Sequence, residues 1–389
     1  MSLRLLTAGE SHGPALTAIL DGMPAGLPLD AAVIDRELAR RQKGFGAGGR
    51  MKIEKDKVRI LGGVMGGQTT GGPLALLAEN ADHKNWQGNA VDPMSAPRPG
   101  HADLTGALKY GYHDLRPALE RSSARETTMR VAAGAVCKHF LAQFGIRVGG
   151  YVCAIGSVEA DIKDKELWQL YEAAEADDQR CPDPQAAQAI RAEIQAAIDS
   201  GDSLGGQIEL FALNLPVGLG SFVQWDRRLE ARLAHALMSV QAIKGFEVGD
   251  GFAISRLPGT RAHDDIDLNG SSLQRASNHA GGIEGGISNG QPLLLRVAMK
   301  PIATTLSPHK TVDLANGTAG PTRYERSDYC PVPRAVPVLE AMLALALADV
   351  LIEKLGGDSL AEMQPRFAAL KQARLEDLAM DNRPVVWWE

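Results

Sequence analysis

Residues 334–355 read RAVPVLEAMLALALADVLIEKL, a run almost wholly apolar on one side when wound at the helical period. A second helical run lies in the first half: residues 123–145, SARETTMRVAAGAVCKHFLAQFG, with Ser122 or Ser123 as cap and Gly145 as stop. Strand-like segments precede each. Leu3 to Thr7, VRILGGV and PLALLAE come before the first, and RVGGYVCAIGSVEA (read as a strand pair), GGQIELFALNL and PLLLRVAMKP before the second. Strands and helices therefore interleave without the regular alternation of a doubly wound parallel sheet. The pattern predicts an α+β chain of mainly antiparallel sheets and long apolar helices, with residues 1–389 as a single domain. A duplicated core would suit the two halves, although no sequence repeat accompanies it. Further helices are expected over AAVIDRELARRQ behind an Asp30 cap, from Pro182 to Ser200, from Asp226 to Ile243 and near Ser359 to Leu378. Residues 80–118 show no sustained period, and such long irregular stretches tend to be functional.

The 389 residues are 44% hydrophobic and 23% charged, which excludes a disordered or fibrous chain. A net charge of −6 argues against a dedicated nucleic-acid or membrane-surface protein. Cys137, Cys153, Cys181 and Cys330 have neither metal-ligand spacing nor a paired framework, as expected of reduced thiols in the cytoplasm. The start, MSLRLLTAGESHG, turns polar too soon for a signal peptide. No apolar run is expected to approach the roughly 20 residues that span a bilayer. The 42 glycines fall in short clusters between apolar segments, where backbone must turn tightly or approach a ligand.

The irregular segments collect the reactive side chains. His12 stands between glycines in Gly9–Pro14, and His101 follows a turn in RPGHAD with Asp103 two residues on. Histidine exchanges protons near neutral pH, and two such sites outweigh the plain reading of solvated loop residues. In Glu120–Thr127, hydroxyls and arginines meet a helix N-terminus, which favours phosphate, although Ser123 and Glu126 also have capping-box spacing. Lys300–Thr305 offers a lysine and hydroxyls at a strand end. Arg326 and Asp328 share one turn, where a surface ion pair is the plain alternative. No HExxH, CxxC or EF-hand loop marks a metal site, and no GxSxG marks a serine hydrolase. The residues alone point to an enzyme acting on a phosphorylated, anionic small molecule, with a phosphate-bearing cofactor as a further option.

Seven ordered blocks carry a more specific signal: GESHGPALTAILDGMPAG, RPGHAD, RSSARET, VQAIKGFEVGDGF, NHAGGIEGG, KPIAT and RSD. Together they make the sequence resemble the chorismate synthase family over residues 5–340. The resemblance implies a β-α-β sandwich and an anti-1,4-elimination that converts 5-enolpyruvylshikimate 3-phosphate to chorismate and phosphate. It also implies reduced FMN without net redox change. By resemblance, His12 protonates the departing phosphate with Ser11 beside it, and His101 supplies a proton at the N1 side of the flavin. Asp328, held by Arg326, acts with flavin N5 in removing the C6 hydrogen. FMN contacts fall on Arg121, Ser122, Ser123, Gln241, Ala242, Gly285, Lys300, Pro301, Ile302, Ala303, Thr304 and Arg326. Substrate anions meet Arg41 and Arg125. The family further implies a cytoplasmic homotetramer, flavin reduced by an external reductase, and no nucleic-acid or membrane partner. Two positions depart from the pattern. Ala47 stands in Gly44–Gly48 where the family places an arginine, with Arg50 or Lys52 as possible substitutes, and Tyr329 follows Asp328 in place of a small residue or proline. A flavin-dependent oxidoreductase consuming NAD(P)H and a flavin-storage or anion-binding protein are the alternatives.

Overall fold

The computed structural model describes residues 3–46, 55–163, 165–325, 327–378 and 380–388. Among them, period-two alternation builds a four-stranded antiparallel sheet from β1 (Arg4–Ala8), β2 (Ala15–Asp21), β3 (Val58–Gly62) and β4 (Leu74–Glu79), in the order β1-β2-β4-β3. Leu16, Ala18 and Leu20 of β2 lie opposite Ala78, Leu76 and Leu74 of β4, so one face is apolar and buried. A five-stranded antiparallel sheet follows: β5 (Arg147–Ile155), β6 (Val158–Glu159), β7 (Gly206–Leu213), β8 (Ile243–Val248) and β9 (Leu293–Met299), ordered β8-β9-β7-β5-β6.

The helices are α1 (Ala31–Gln42), α2 (Asp103–Tyr110), α3 (Arg116–Ser122), α4 (Thr127–Ala142), α5 (Leu167–Ala176), α6 (Pro184–Ser200), α7 (Leu229–Met238), α8 (Val332–Leu355) and α9 (Leu360–Ala368). Short helical turns at Gly251–Ile254 and Gly259–Ala262 lie outside this numbering. The two apolar helices α4 and α8 pack on each other. Beyond them, α4 covers β2 and β4 and α8 covers β5 and β7, so a helical layer separates the two sheets. Their approach is close because α4 carries Gly134, where a Cβ would lie 2.2 Å from the Cβ of Ala341. Asp30 caps α1 through Val33 N–H, and Gly201 closes α6 in the left-handed conformation. The far face of β5 is buried as well, because Tyr151 and Phe211 pack with Leu170 of α5.

Several expectations need correcting. The helix expected over 123–145 begins only at Thr127. Ser123 is extended and its hydroxyl accepts from Arg125 N–H, so it caps the separate turn Ala124–Glu126. The supposedly irregular 80–118 holds a 3₁₀ turn (Ala81–Asn85), α2 and the start of α3. α2 buries only Asp103, so it has no apolar stripe to betray it. The helix at 226–243 shrinks to α7, and the one near 359–378 to α9 with a turn at Leu375–Asp377. α5 was not anticipated at all. α8 is 24 residues long with a window of mean hydropathy 2.1, long and apolar enough to cross a membrane. That window is 89% buried within the protein, so its apolar surface is already covered.

Candidate active site

The loop between β1 and β2 turns at Gly9, whose φ is +109° and where a Cβ would stand 2.5 Å from Ala15 O. This carries Ser11 and His12 onto α3. One carboxylate, Glu120, holds His12 twice: Oε1 lies 2.7 Å from ring Nδ1, and Oε2 accepts the backbone N–H at 2.8 Å. Trp86 stacks on the imidazole with centroids 4.0 Å apart, and His83 Nδ1 meets His12 O at 2.9 Å. Ser11 is buried and donates its hydroxyl to Ser123 Oγ at 3.1 Å. Burial pushes the Glu120 carboxyl up. Hydrogen bonds from the His12 ring and backbone and the charges of His12 and Arg116 outweigh it, leaving the carboxyl below its ordinary value.

Beside this pair the arginines converge. Arg125 donates to Asn80 Oδ1 (2.8 Å), Asp56 Oδ1 (2.6 Å) and Thr128 Oγ1 (2.9 Å). Arg41, at the end of α1, reaches Thr127 Oγ1, Ala124 O and, at 3.5 Å, Asp56 Oδ2. Arg334 donates to Arg41 O and pairs with Asp328. Burial first, then the charge of Arg334, presses the Arg41 guanidinium down to about 9; Arg125 adds to this and Asp56 and Asp328 only partly offset it. Among the described residues three guanidiniums thus converge with two carboxylates, a cationic cluster suited to an incoming anion.

The second histidine sits on a built turn. Asp103 is fully buried and accepts from Arg98 Nε (2.8 Å), Arg98 Nη2 (2.9 Å) and His101 Nδ1 (2.6 Å). Burial opposes its charge, but the Arg98 and His101 hydrogen bonds win and hold the carboxyl far below its usual range. Ionised Asp103 accepts only, so Nδ1 of His101 carries a proton. Lys300 Nζ donates to Gly100 O at 3.0 Å, Arg98 Nη1 reaches Thr304 Oγ1 at 3.3 Å, and Ser327 Oγ donates to Thr304 O. Lys300 N–H in turn donates to Ala242 O, whose residue has φ +67°. Glu126 gathers Thr7 Oγ1, Arg130 and Gln241 Nε2, while Arg121 donates to Thr7 O and Oγ1. Ser122 turns its hydroxyl back to Ala118 O. The amide oxygen of Gln241 is buried without a hydrogen-bond partner among the described residues.

The family model for chorismate synthase matches residues 3–352. The chain belongs to the chorismate synthase family. It is 50% identical over 383 residues to the chorismate synthase of Aquifex aeolicus (strain VF5), covering 94% of this chain and 96% of that one. Against the enzyme of Desulforudis audaxviator (strain MP104C) identity is 52% over 371 residues, covering 93% and 95%. A crystal structure of a chorismate synthase superposes with TM-score 0.78 at 45% identity, covering 95% of this chain and 97% of that one. The α+β architecture is that of this neighbour. Chorismate synthases are lyases, the family that catalyses the last step of the shikimate pathway with reduced flavin, and this chain is one of them.

Of the residues that chorismate synthase membership singles out, the structure brings most into one chain of contacts. It runs from His12 and Ser11 through Ser123, Arg125 and Arg41 to Asp328, and by Ser327 and Thr304 to His101. Gln241, Ala242 and Lys300–Thr304 border it. Gly285 does not join: it is exposed at the tip of the hairpin Ile283–Ser288, which is bridged to Gly220. Arg326, Ala47, Arg50 and Lys52 lie outside the described residues, and the described partner of Asp328 is Arg334. Sequence reasoning assigned no role to Glu120, Trp86, Asn80, Asp56, Arg98 or Arg334, and to Glu126 only a capping one. Glu120 opens a quoted block and Arg334 is the lone cation at the head of an apolar helix, so both carried a signal. Asp56 sits unremarkably between Lys55 and Lys57 and carried none.

Proposed function

We propose that this chain converts 5-enolpyruvylshikimate 3-phosphate to chorismate and phosphate by anti-1,4-elimination, with FMN as its reduced flavin. The observation that carries the reading is the convergence of buried Arg41 and Arg125 with Arg334, flanked by two histidines that each have their own carboxylate. Arg41 and Arg125 bind the substrate's anions in a site closed to water, where such contacts are strongest. His12 holds a proton for the departing phosphate, and Ser11 orients the same oxygens. His101 holds a proton at Nδ1 against Asp103, on the side of the Lys300–Thr304 loop. Asp328 stands where the C6 hydrogen leaves, fixed by Arg334.

The flavin fits the residues present. The unsatisfied amide oxygen of Gln241 awaits a donor, and Lys300 and Arg121 lie at the same border. Arg121, Ser122, Ser123, Gln241, Ala242 and Lys300–Thr304 would hold it, with Gly285 and Arg326 as further contacts. When bound, reduced flavin supplies transient electron density that helps the allylic C–O bond break, with no net redox change. Residues 1–389 act as one domain, supported by a buried apolar cluster that runs from Leu3 to Met363. A cytoplasmic homotetramer fed by an external flavin reductase completes the reading.

The test is an anaerobic assay with dithionite-reduced FMN, following chorismate absorbance and phosphate release. Product at equal rate without flavin overturns the reading, and stoichiometric NAD(P)H consumption per product would replace it by an oxidoreductase.

A further inference from the structure

We propose that Glu120 is a positioning residue that fixes the orientation and the proton-bearing nitrogen of the His12 ring, with Trp86 fixing the plane of the ring. The inference rests on the role of His12 given above. The carboxylate lies 2.7 Å from ring Nδ1, with the imidazole 14% and the carboxylate 10% exposed, so it accepts the Nδ1 proton and sets the tautomer of the ring. The same carboxylate anchors the His12 backbone N–H, so ring and main chain are held by one group. Stacking on Trp86 removes rotation about the remaining side-chain torsion, and the Arg116 guanidinium backs the indole at 5.6 Å. Proton exchange with substrate then falls to Nε2.

The contrast with the second histidine sharpens the point. The Asp103 charge is met by a two-pronged arginine before His101 reaches it. Among the described residues Glu120 has no such fork, and its direct side-chain ion pair is His12. Around His12 stand Glu10 of its own loop, Arg116 and Glu120 of α3, His83 of the 81–85 turn, and Arg125 through Asn80. Glu120 touches ring Nδ1.

Glu120→Gln keeps an oxygen for the backbone N–H and nearly the same shape, yet removes the charge. The expected result is a fall in kcat of about 10²-fold, the scale of general acid catalysis, with little change in KM. One amide oxygen cannot accept both the ring and the backbone N–H, so the Nδ1–H form loses its partner. Glu120→Asp restores part of kcat. Ring ¹⁵N NMR of His12 in the resting protein shows the proton held at Nδ1 in the wild type and mixed tautomers in Glu120→Gln. A folded Glu120→Gln with unchanged kcat and an unchanged His12 tautomer spectrum overturns the proposal, even if its Tm falls. A wild-type protein that makes no chorismate while showing the His12 signature overturns the functional reading instead.

Discussion

Arg98 and Asp103 meet as a two-pronged ion pair, with Nε 2.8 Å from Oδ2 and Nη2 2.9 Å from Oδ1 and the carboxylate wholly out of water. Removing one partner of such a pair leaves a buried charge uncompensated, which costs about 3–5 kcal/mol. Asp103→Asn should therefore lower the unfolding free energy measured in urea by that order. It should also reduce kcat, since the amide can no longer dictate that Nδ1 of His101 carries the proton. An unchanged midpoint would show that the pair contributes nothing.

The buried charge at Arg41 predicts an effect on stability before any chemistry. The protein holds Arg41 charged at neutral pH against burial and its arginine neighbours, so an anion that enters should stabilise the fold. Inorganic phosphate at about 100 times its Kd should add about 2.7 kcal/mol, visible as a rise in Tm. In Arg41→Ala the rise should shrink severalfold. Equal rises in both proteins would place the anion elsewhere.

Acid should weaken the fold through the network at the end of α1. Glu175 is pushed up by burial, but hydrogen bonds and charge from Arg40, with Arg180 adding, bring it from 4.5 to about 2. A carboxyl depressed in the folded state stabilises above its unfolded value and loses that contribution as pH falls toward the folded one. The urea midpoint should hence decline between about pH 5 and pH 2, and Glu175→Gln should decline less steeply. Parallel slopes in the two proteins would exclude Glu175 from the transition.

Gly134→Ala sets two effects against each other. Alanine is the better helix former by about 1 kcal/mol, yet its Cβ would fall 2.2 Å from Ala341 Cβ and 2.5 Å from Ala341 Cα. Backbone cannot move aside cheaply, so α4 and α8 must separate, at a cost of about 3 kcal/mol or more. Thermal unfolding should show a net loss of several degrees. A gain in Tm would mean that the helices are looser than their packing indicates.

The sheets were legible because period-two alternation reports which face is buried, as in Leu16, Ala18 and Leu20. α2 was not, because its helical stretch is held by the polar Asp103 and not by an apolar stripe. Histidines in glycine-rich loops announced His12 and His101. Their carboxylates fared differently. Asp103 is two residues away and was noticed, whereas Glu120 is 108 residues from His12 and meets it only when β1 and α3 are packed.

Family membership, the α+β class and the residue types at the site are properties of the sequence itself, since local period and ordered motifs survive without a folded chain. Which charges are paired is not such a property. Asp56 bridges Arg41 and Arg125, Asp328 answers to Arg334 and Glu120 to His12 because two sheets clasp α4 and α8 and bring distant side chains into one largely buried cluster. Only there does the balance of burial against neighbouring charge decide what each group can do.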